Sequence, residues 1–306
     1  MKIGRPRIQP RHRQAPERGT SPGVAARPGR GPARLQSAVT LSLVPEARGG
    51  PFVFSGDLER GCARAASLGF DAVELFLPSA AAVKAKDLRA LLKRHHLRLA
   101  ALGTGAGWLK QRWSLTSPDP AVRRKAGEFI EQILELAAAF QAPAIIGSMQ
   151  GRVEPGVTRA QAEQWLAEGL RALGRRASRQ GVDILFEPLN RYETNLFNRA
   201  QDAAAFLSRR RIAHVKLLCD LFHMNLEEAS IPATLRAVAR HVGHIHFADT
   251  NRRAMGLGHL DAAPIIAALR DIGYAGYLSA EVLPLPSPAA AARQTLRAFR
   301  KLTLTD

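Results

Sequence analysis

The chain has 306 residues, 46% of them hydrophobic, and a formal net charge of +18. That length and apolar content suffice for a large core, in one α/β barrel or two ordinary domains. No apolar run is long enough to span a bilayer, and the isolated Cys62 and Cys219 carry no disulfide pattern, so a cytoplasmic protein without a membrane span is expected.

The charge is uneven. Residues 1–36 hold Lys2 and eight arginines against the single acid Glu17, so about +8 sits there and about +10 in the remainder. This stretch is rich in Pro and Gly and poor in large apolar residues, which predicts a disordered basic extension. Its plainest reading is an N-terminal extension or an early start codon. A basic arm for nucleic acid and an Arg-rich targeting peptide are the other two. The remaining arginines are spread over helix-like segments, as on solvated faces, so nucleic acid is not the expected partner.

From residue 37 to 306 the pattern predicts one domain. Short apolar runs at Val39–Val44, Ala72–Phe76, Leu97–Leu102, Ala144–Gly147, Val182–Glu187, Val215–Asp220, His244–Ala248 and Gly276–Glu281 read as strands. Helical patterns alternate with them at Leu58–Leu68, Ala80–His95, Ala121–Phe140, Arg159–Gln180, Ala200–Arg209, Ile231–His241, Ala262–Asp271 and Ser287–Leu302. Asp57, Asp119, Thr158 and Asp261 mark helix starts, and Gly69, Gly181 and Gly273 follow helix ends. Eight strands alternating with eight helices predict a (β/α)8 TIM barrel. A doubly wound open sheet is the alternative, but no GxGxxG follows the first strand.

In such a barrel the chemistry lies where strands end. The predicted fifth strand ends in Glu187, before a proline that stops the ladder, and Glu193 follows in the loop. The sixth ends in Asp220, with His223 three residues on. The seventh carries His244 and His246 on one side of the strand, and the eighth ends in Glu281. One carboxylate at a strand tip ordinarily pairs with an arginine. Four such groups at consecutive tips, Glu187, Asp220, His246 and Glu281, form a hard, oxygen-rich set suited to Mn²⁺ or Mg²⁺, with Co²⁺ or Zn²⁺ as alternatives. A divalent ion chelated by two adjacent substrate oxygens acidifies the C–H between them. Glu187 and Glu281, on opposite faces of that carbon, would remove and return its proton. Returned to the same carbon, the proton gives epimerisation; returned to its neighbour, it gives aldose–ketose isomerisation.

The segments EPLNRYETN, CDLFHMNLEEA, HIHFADTNRRAMGLGH and GYLSAEV resemble the sugar phosphate isomerase/epimerase family of xylose isomerase-like barrels, over about residues 37–302. That grouping includes ketose 3-epimerases and hydroxypyruvate isomerases. The resemblance implies that Glu187, Asp220, His246 and Glu281 bind the metal and that Glu187 and Glu281 exchange the proton. It implies that Glu193, His223 and Arg252 hold substrate oxygens, and that the protein is a homodimer or homotetramer acting on a small sugar or hydroxy-carbonyl compound. Without it, Arg252 reads either as a fixed cation that could polarise a carbonyl or as an exposed loop residue, and His223 either as a site residue or as a buried structural histidine.

Other stretches are less specific. GTGAGW at Gly103–Trp108 lacks the GK[ST] of a P-loop and reads as a tight turn that lets Trp108 wall the pocket. Ser148, Gln150 and Arg152 follow the fourth strand and either reach a substrate or are simply exposed loop residues, and Glu74 is either a pocket group or the partner of a nearby base. No dedicated phosphate cradle is evident. A zinc-dependent abasic-site endonuclease of the same superfamily fits the basic charge but needs histidines at the second and third strand ends, which read VELF and ALGTGAG. A non-catalytic sugar-binding barrel would have no use for two paired glutamate bases.

Overall fold

The computed structural model describes Met1 and residues 34–304. The chain divides into the units Met1–Pro32 and Ala33–Asp306, and the barrel lies in the second. The predicted disordered extension falls outside the described residues, apart from Met1 and its last three positions. Of those, Gln36 already opens the first strand.

Eight parallel strands form the barrel: β1 (Gln36–Ser42), β3 (Ala72–Phe76), β4 (Arg98–Gly103), β5 (Ala144–Ile146), β6 (Ile184–Phe186), β7 (Val215–Asp220), β8 (Val242–His246) and β9 (Tyr277–Ala280). They pair in that order, and β1 closes the ring by pairing with β9 from Gln36↔Tyr277 to Val39↔Ala280. A two-residue strand, β2 (Phe54–Ser55), lies against β1. Around them run α1 (Leu58–Leu68), α2 (Ala85–Arg94), α4 (Pro120–Ala138), α5 (Arg159–Arg179), α6 (Ala200–Arg209), α8 (Ile231–Ala237), α9 (Ala263–Asp271) and α10 (Pro288–Thr303). This is the predicted (β/α)8 barrel. Among the described residues, no helix is long and apolar enough to cross a membrane.

Several helix ends follow from single side chains. Asp57 caps α1 through the Arg60 amide, and Gly69 closes it at φ 93°, a conformation costly for residues with a Cβ. Thr158 and Gln161 form a capping box at the start of α5.

Alternation along the strands separates the core from the lumen. On β6, β7, β8 and β9, the residues Phe186, Cys219, Ile245 and Leu278 join the large cluster packed beneath the helices. Their neighbours Leu185 and Leu218 pack with Ala101 and Ile145 in a small inner cluster. Glu74, Glu187, Asp220, His244, His246 and Glu281 share the inward parity. That parity brings distant acids and imidazoles into one lumen.

Two short helices were not predicted: α3 (Ala106–Gln111) and α7 (Leu221–Glu227). The expected tight turn at Gly103–Trp108 is instead the entry to α3. Predicted strand bounds also shift: the first runs Gln36–Ser42, the fifth ends at Phe186, the seventh runs Val242–His246 and the eighth ends at Ala280, leaving Glu187 and Glu281 just beyond their strands.

Candidate active site

Glu187, at the tip of β6, is 6% exposed. Its amide donates to the Ile146 carbonyl at 3.0 Å, and its own carbonyl accepts from Gln150 Nε2 at 2.8 Å. Gly147 makes room for the carboxylate: a Cβ there would stand 2.5 Å from Glu187 Oε2.

Asp220 ends β7 and starts α7. Its Oδ1 accepts the Phe222 amide at 2.7 Å as the helix cap, so Oδ2 is the oxygen left for the lumen. One turn into α7, His223 Nδ1 lies 3.3 Å from the Asn190 amide and 2.8 Å from Asn190 Nδ2. A backbone N–H can only donate, so Nδ1 is the acceptor and the ring proton sits on Nε2. That nitrogen lies 3.8 Å from Asp220 Oδ2 and 3.9 Å from Glu187 Oε1.

His246 joins the groups. Its Nδ1 is 3.6 Å from Glu187 Oε1, 3.5 Å from Asp220 Oδ2 and 3.6 Å from Glu281 Oε2. Its Nε2 lies 3.0 Å from Glu74 Oε1, and Glu74 Oε2 lies 2.8 Å from His244 Nε2. Glu74 is therefore the partner of two imidazoles.

Arg252, at φ 56°, reaches the cluster from the loop after β8. Its carbonyl accepts the Leu283 amide at 2.7 Å, which ties that loop to the one after β9. The guanidinium then meets Glu281 Oε2 at 2.7 Å and Glu193 Oε1 at 3.4 Å. Behind it, buried Asp249 accepts the amides of Thr250, Gly256 and Leu260 and so shapes the loop. Sequence reasoning missed Asp249 and Asn190; the only available signal was the Asx-rich composition of their loops.

Burial and charge set the protonation states. Burial pushes the Glu187 carboxyl up to about 7, helped by the Glu281 and Asp220 charges and opposed by His246. Burial also raises Asp220, but the His223 and His246 imidazoles and Arg252 outweigh it and hold Asp220 well below the usual range. Glu74 is likewise lowered, burial being outweighed by His246 and His244. His223 is pushed down to about 4, mainly by burial, and is neutral at neutral pH. Glu193 is raised by burial against the pull of Arg252.

Among the buried polar atoms of the described residues that lack a hydrogen-bond partner, Glu187 Oε1, Asp220 Oδ2, His223 Nε2 and His246 Nδ1 face one another here. Unpaired buried polar atoms are costly, and their convergence is the mark of a site built for another group. Oxygens of Glu187 and Asp220 with a nitrogen of His246 lie within 4.8 Å of one another, the spread of a cation's ligands. Three carboxylates and an imidazole suit a hard divalent ion.

A cavity of about 340 Å³ opens over this cluster, a size suited to a small molecule. Glu74, Glu187, Glu193, His246, Arg252 and Glu281 line its floor, and Trp108, carried by α3, lines its wall with Phe52 and Phe76. Phe52 and Phe76 stack at 4.7 Å. Thus Glu187, Asp220, His246, Glu281, Glu193, His223, Arg252 and Trp108 lie at this pocket or against its lining. Ser148 lines it too, whereas Gln150 acts on the Glu187 backbone, and Arg152 is exposed and does not line it.

A closed parallel barrel with acids and imidazoles at the C-terminal rim defines the class, and the chain belongs to the xylose isomerase-like TIM barrel family, whose profile matches residues 62–302. Within that class it is similar to the D-psicose 3-epimerase of Ruminiclostridium cellulolyticum, with 31% identity over 220 residues, 70% of this chain and 74% of that protein. It is 29% identical over 241 residues to the L-ribulose 3-epimerase of Methylomonas sp., covering 76% of this chain and 82% of the relative. In fold it matches the crystal structure of D-allulose 3-epimerase from Methylomonas sp. in complex with D-allulose. The TM-score is 0.75 at 24% identity, over 89% of this chain and 98% of that one.

Proposed function

We propose that the protein is a divalent-metal-dependent ketose epimerase that removes and returns a proton beside a carbonyl through a cis-enediolate, with Glu187 and Glu281 as the acid/base pair. The observation that carries this reading is the convergence of Glu187 and Glu281. An oxygen of each lies 3.6 Å from the same His246 nitrogen, so the two carboxylates flank one spot. Relatives named 3-epimerases of psicose and ribulose favour epimerisation over aldose–ketose isomerisation.

Glu187, Asp220, His246 and Glu281 would hold the ion, Mn²⁺ or Mg²⁺ ahead of Co²⁺ or Zn²⁺. When bound, it supplies the Lewis acidity that makes the C–H beside the carbonyl ionisable. One glutamate takes that proton and the other delivers one to the opposite face, which inverts the carbon. His223 donates its Nε2 proton to a substrate oxygen, and Glu193 accepts a hydroxyl. Arg252 offsets the charge that develops on the carbonyl oxygen. Phe52, Phe76 and Trp108 pack against the sugar's carbon face and exclude water.

The test is exchange of solvent deuterium into the carbon next to the carbonyl of psicose, fructose and ribulose, with and without added Mn²⁺. The expected result is Mn²⁺-dependent exchange and a 3-epimer product in the wild type. Glu187→Gln and Glu281→Gln should each lower turnover by at least about a hundredfold. Exchange that persists in both variants would sink the assignment, and Mn²⁺-dependent nicking of an abasic oligonucleotide without ketose turnover would replace it with the nuclease.

A further inference from the structure

We propose that Glu74 is a positioning residue of the metal centre: it fixes the tautomer and orientation of His246 from across the barrel, and His244 anchors Glu74 in turn. The inference rests on the metal site proposed above. Strand β3, which carries Glu74, is not a neighbour of β8; β1 and β9 lie between them in the closed ring. The Glu74 carboxylate therefore reaches through the lumen to both imidazoles, with its side chain 6% exposed.

The hydrogen-bond inventory then decides the tautomer. An ionised carboxylate only accepts, so the His246 nitrogen 3.0 Å from Glu74 Oε1 must be the protonated one. With Nε2 committed to Glu74, Nδ1 is the nitrogen that would give up its proton and offer a lone pair to an ion, and Nδ1 is the atom that lacks a partner and faces Glu187, Asp220 and Glu281. A neutral imidazole whose other N–H is held by a carboxylate is both oriented and a stronger ligand. His244, two residues earlier on the same side of the strand, occupies Glu74 Oε2 at 2.8 Å, so the carboxylate cannot swing away.

Glu74, His244 and His246 could themselves be read as three ligands of an ion, since they too lie within 4.8 Å of one another. Their polar atoms argue otherwise. Both Glu74 oxygens are already used by the two Nε2 atoms, and neither oxygen is without a partner. The unpaired oxygens of Glu187 and Asp220 lie instead at Nδ1, on the other side of the His246 ring. Glu74 thus supports the centre and does not form one.

The test is Mn²⁺ titration of the metal-free full-length chain by calorimetry, without sugar, for the wild type, Glu74→Gln, His244→Gln and Asp220→Asn. Circular dichroism and metal-free melting temperature report whether each variant folds. Glu74→Gln keeps the shape but cannot accept from both imidazoles, so its Mn²⁺ affinity should fall about 10- to 100-fold. His244→Gln should lose affinity by a smaller factor, and Asp220→Asn should bind no Mn²⁺. A merely structural Glu74 would lower the melting temperature and leave the Mn²⁺ affinity of the folded variant unchanged, which overturns the proposal. Should Glu74→Gln not fold, His244→Gln decides: weakened binding supports the role, and wild-type affinity overturns it. Wild-type affinity in Asp220→Asn would place the ion among Glu74, His244 and His246 and overturn it as well. A wild type that binds no Mn²⁺ removes the proposed metal site and this role together. A wild type that binds Mn²⁺ but exchanges no deuterium fails only as an epimerase.

Discussion

His246 makes the site with its two nitrogens. One faces three carboxylates and the other is held by a fourth, so a single side chain links the rim of the barrel to its interior. Glu187 carries the titration. In the metal-free protein its carboxyl is raised from 4.5 to about 7, chiefly by burial. The sign follows from proton counting. Between these two values the native chain holds a proton that the unfolded chain has lost. Glu187 therefore favours the fold below the lower value, and that contribution disappears as pH rises towards 7. Binding an ion must expel that proton and also the one on His246, whose pKa is lowered by burial but carried well above the ordinary imidazole value by Glu74 and Glu281, so Mn²⁺ affinity should rise with pH through 7 and beyond it. Calorimetry in buffers of different ionisation heat, on either side of neutral pH, checks this through a proton release that is larger below 7 than above it; a release that does not fall across 7 would refute the Glu187 contribution.

At the scale of elements, short connections aim the chemistry. The cap of α7 is also the last residue of β7, so no linker separates the Asp220 ligand atom from the helix that carries His223. The loop after β5 does the same for Glu187, with Gln150 holding its carbonyl and Gly147 clearing its carboxylate. Gly147→Ala should therefore displace the Glu187 carboxylate while leaving the buried hydrophobic core intact. Turnover should fall about tenfold or more, with Mn²⁺ affinity reduced and stability lowered by roughly 1–3 kcal/mol. Steady-state kinetics and thermal melts of the variant provide the check; unchanged turnover in a folded protein would refute it. These elements were the least legible in the sequence. The α3 stretch opens on GTGAG, where glycines mask any helical period, and α7 follows its strand with no turn residue between them.

At the scale of the whole molecule, closure of β1 onto β9 turns a row of strands into a ring whose inward residues meet. The same packing buries both cysteines and pushes their thiols up to about 12, in each case mainly through burial. Neither has the depressed pKa of a reactive thiolate. The native protein should show no fast-reacting thiol with an aromatic disulfide reagent. Two should appear together on cooperative unfolding, and an early reaction of either would show that its packing against the helices is loose.

The sequence by itself determined the alternation of strands and helices, and with it the barrel. It also determined that Glu187, Asp220, His246 and Glu281 stand at strand ends with Glu193, His223, Arg252 and Trp108 nearby. Those features are local: period, capping residues and strand-stopping prolines act over a few positions and need no knowledge of the partner strand. Only the tertiary structure decided that Glu74 reaches across 172 positions of sequence to His246 and that Arg252 lies against Glu281. It also decided which nitrogen of each histidine is left for the site. Those outcomes depend on ring closure and on the competition of buried groups for a few donors and acceptors, which no stretch of sequence contains until distant strands are side by side.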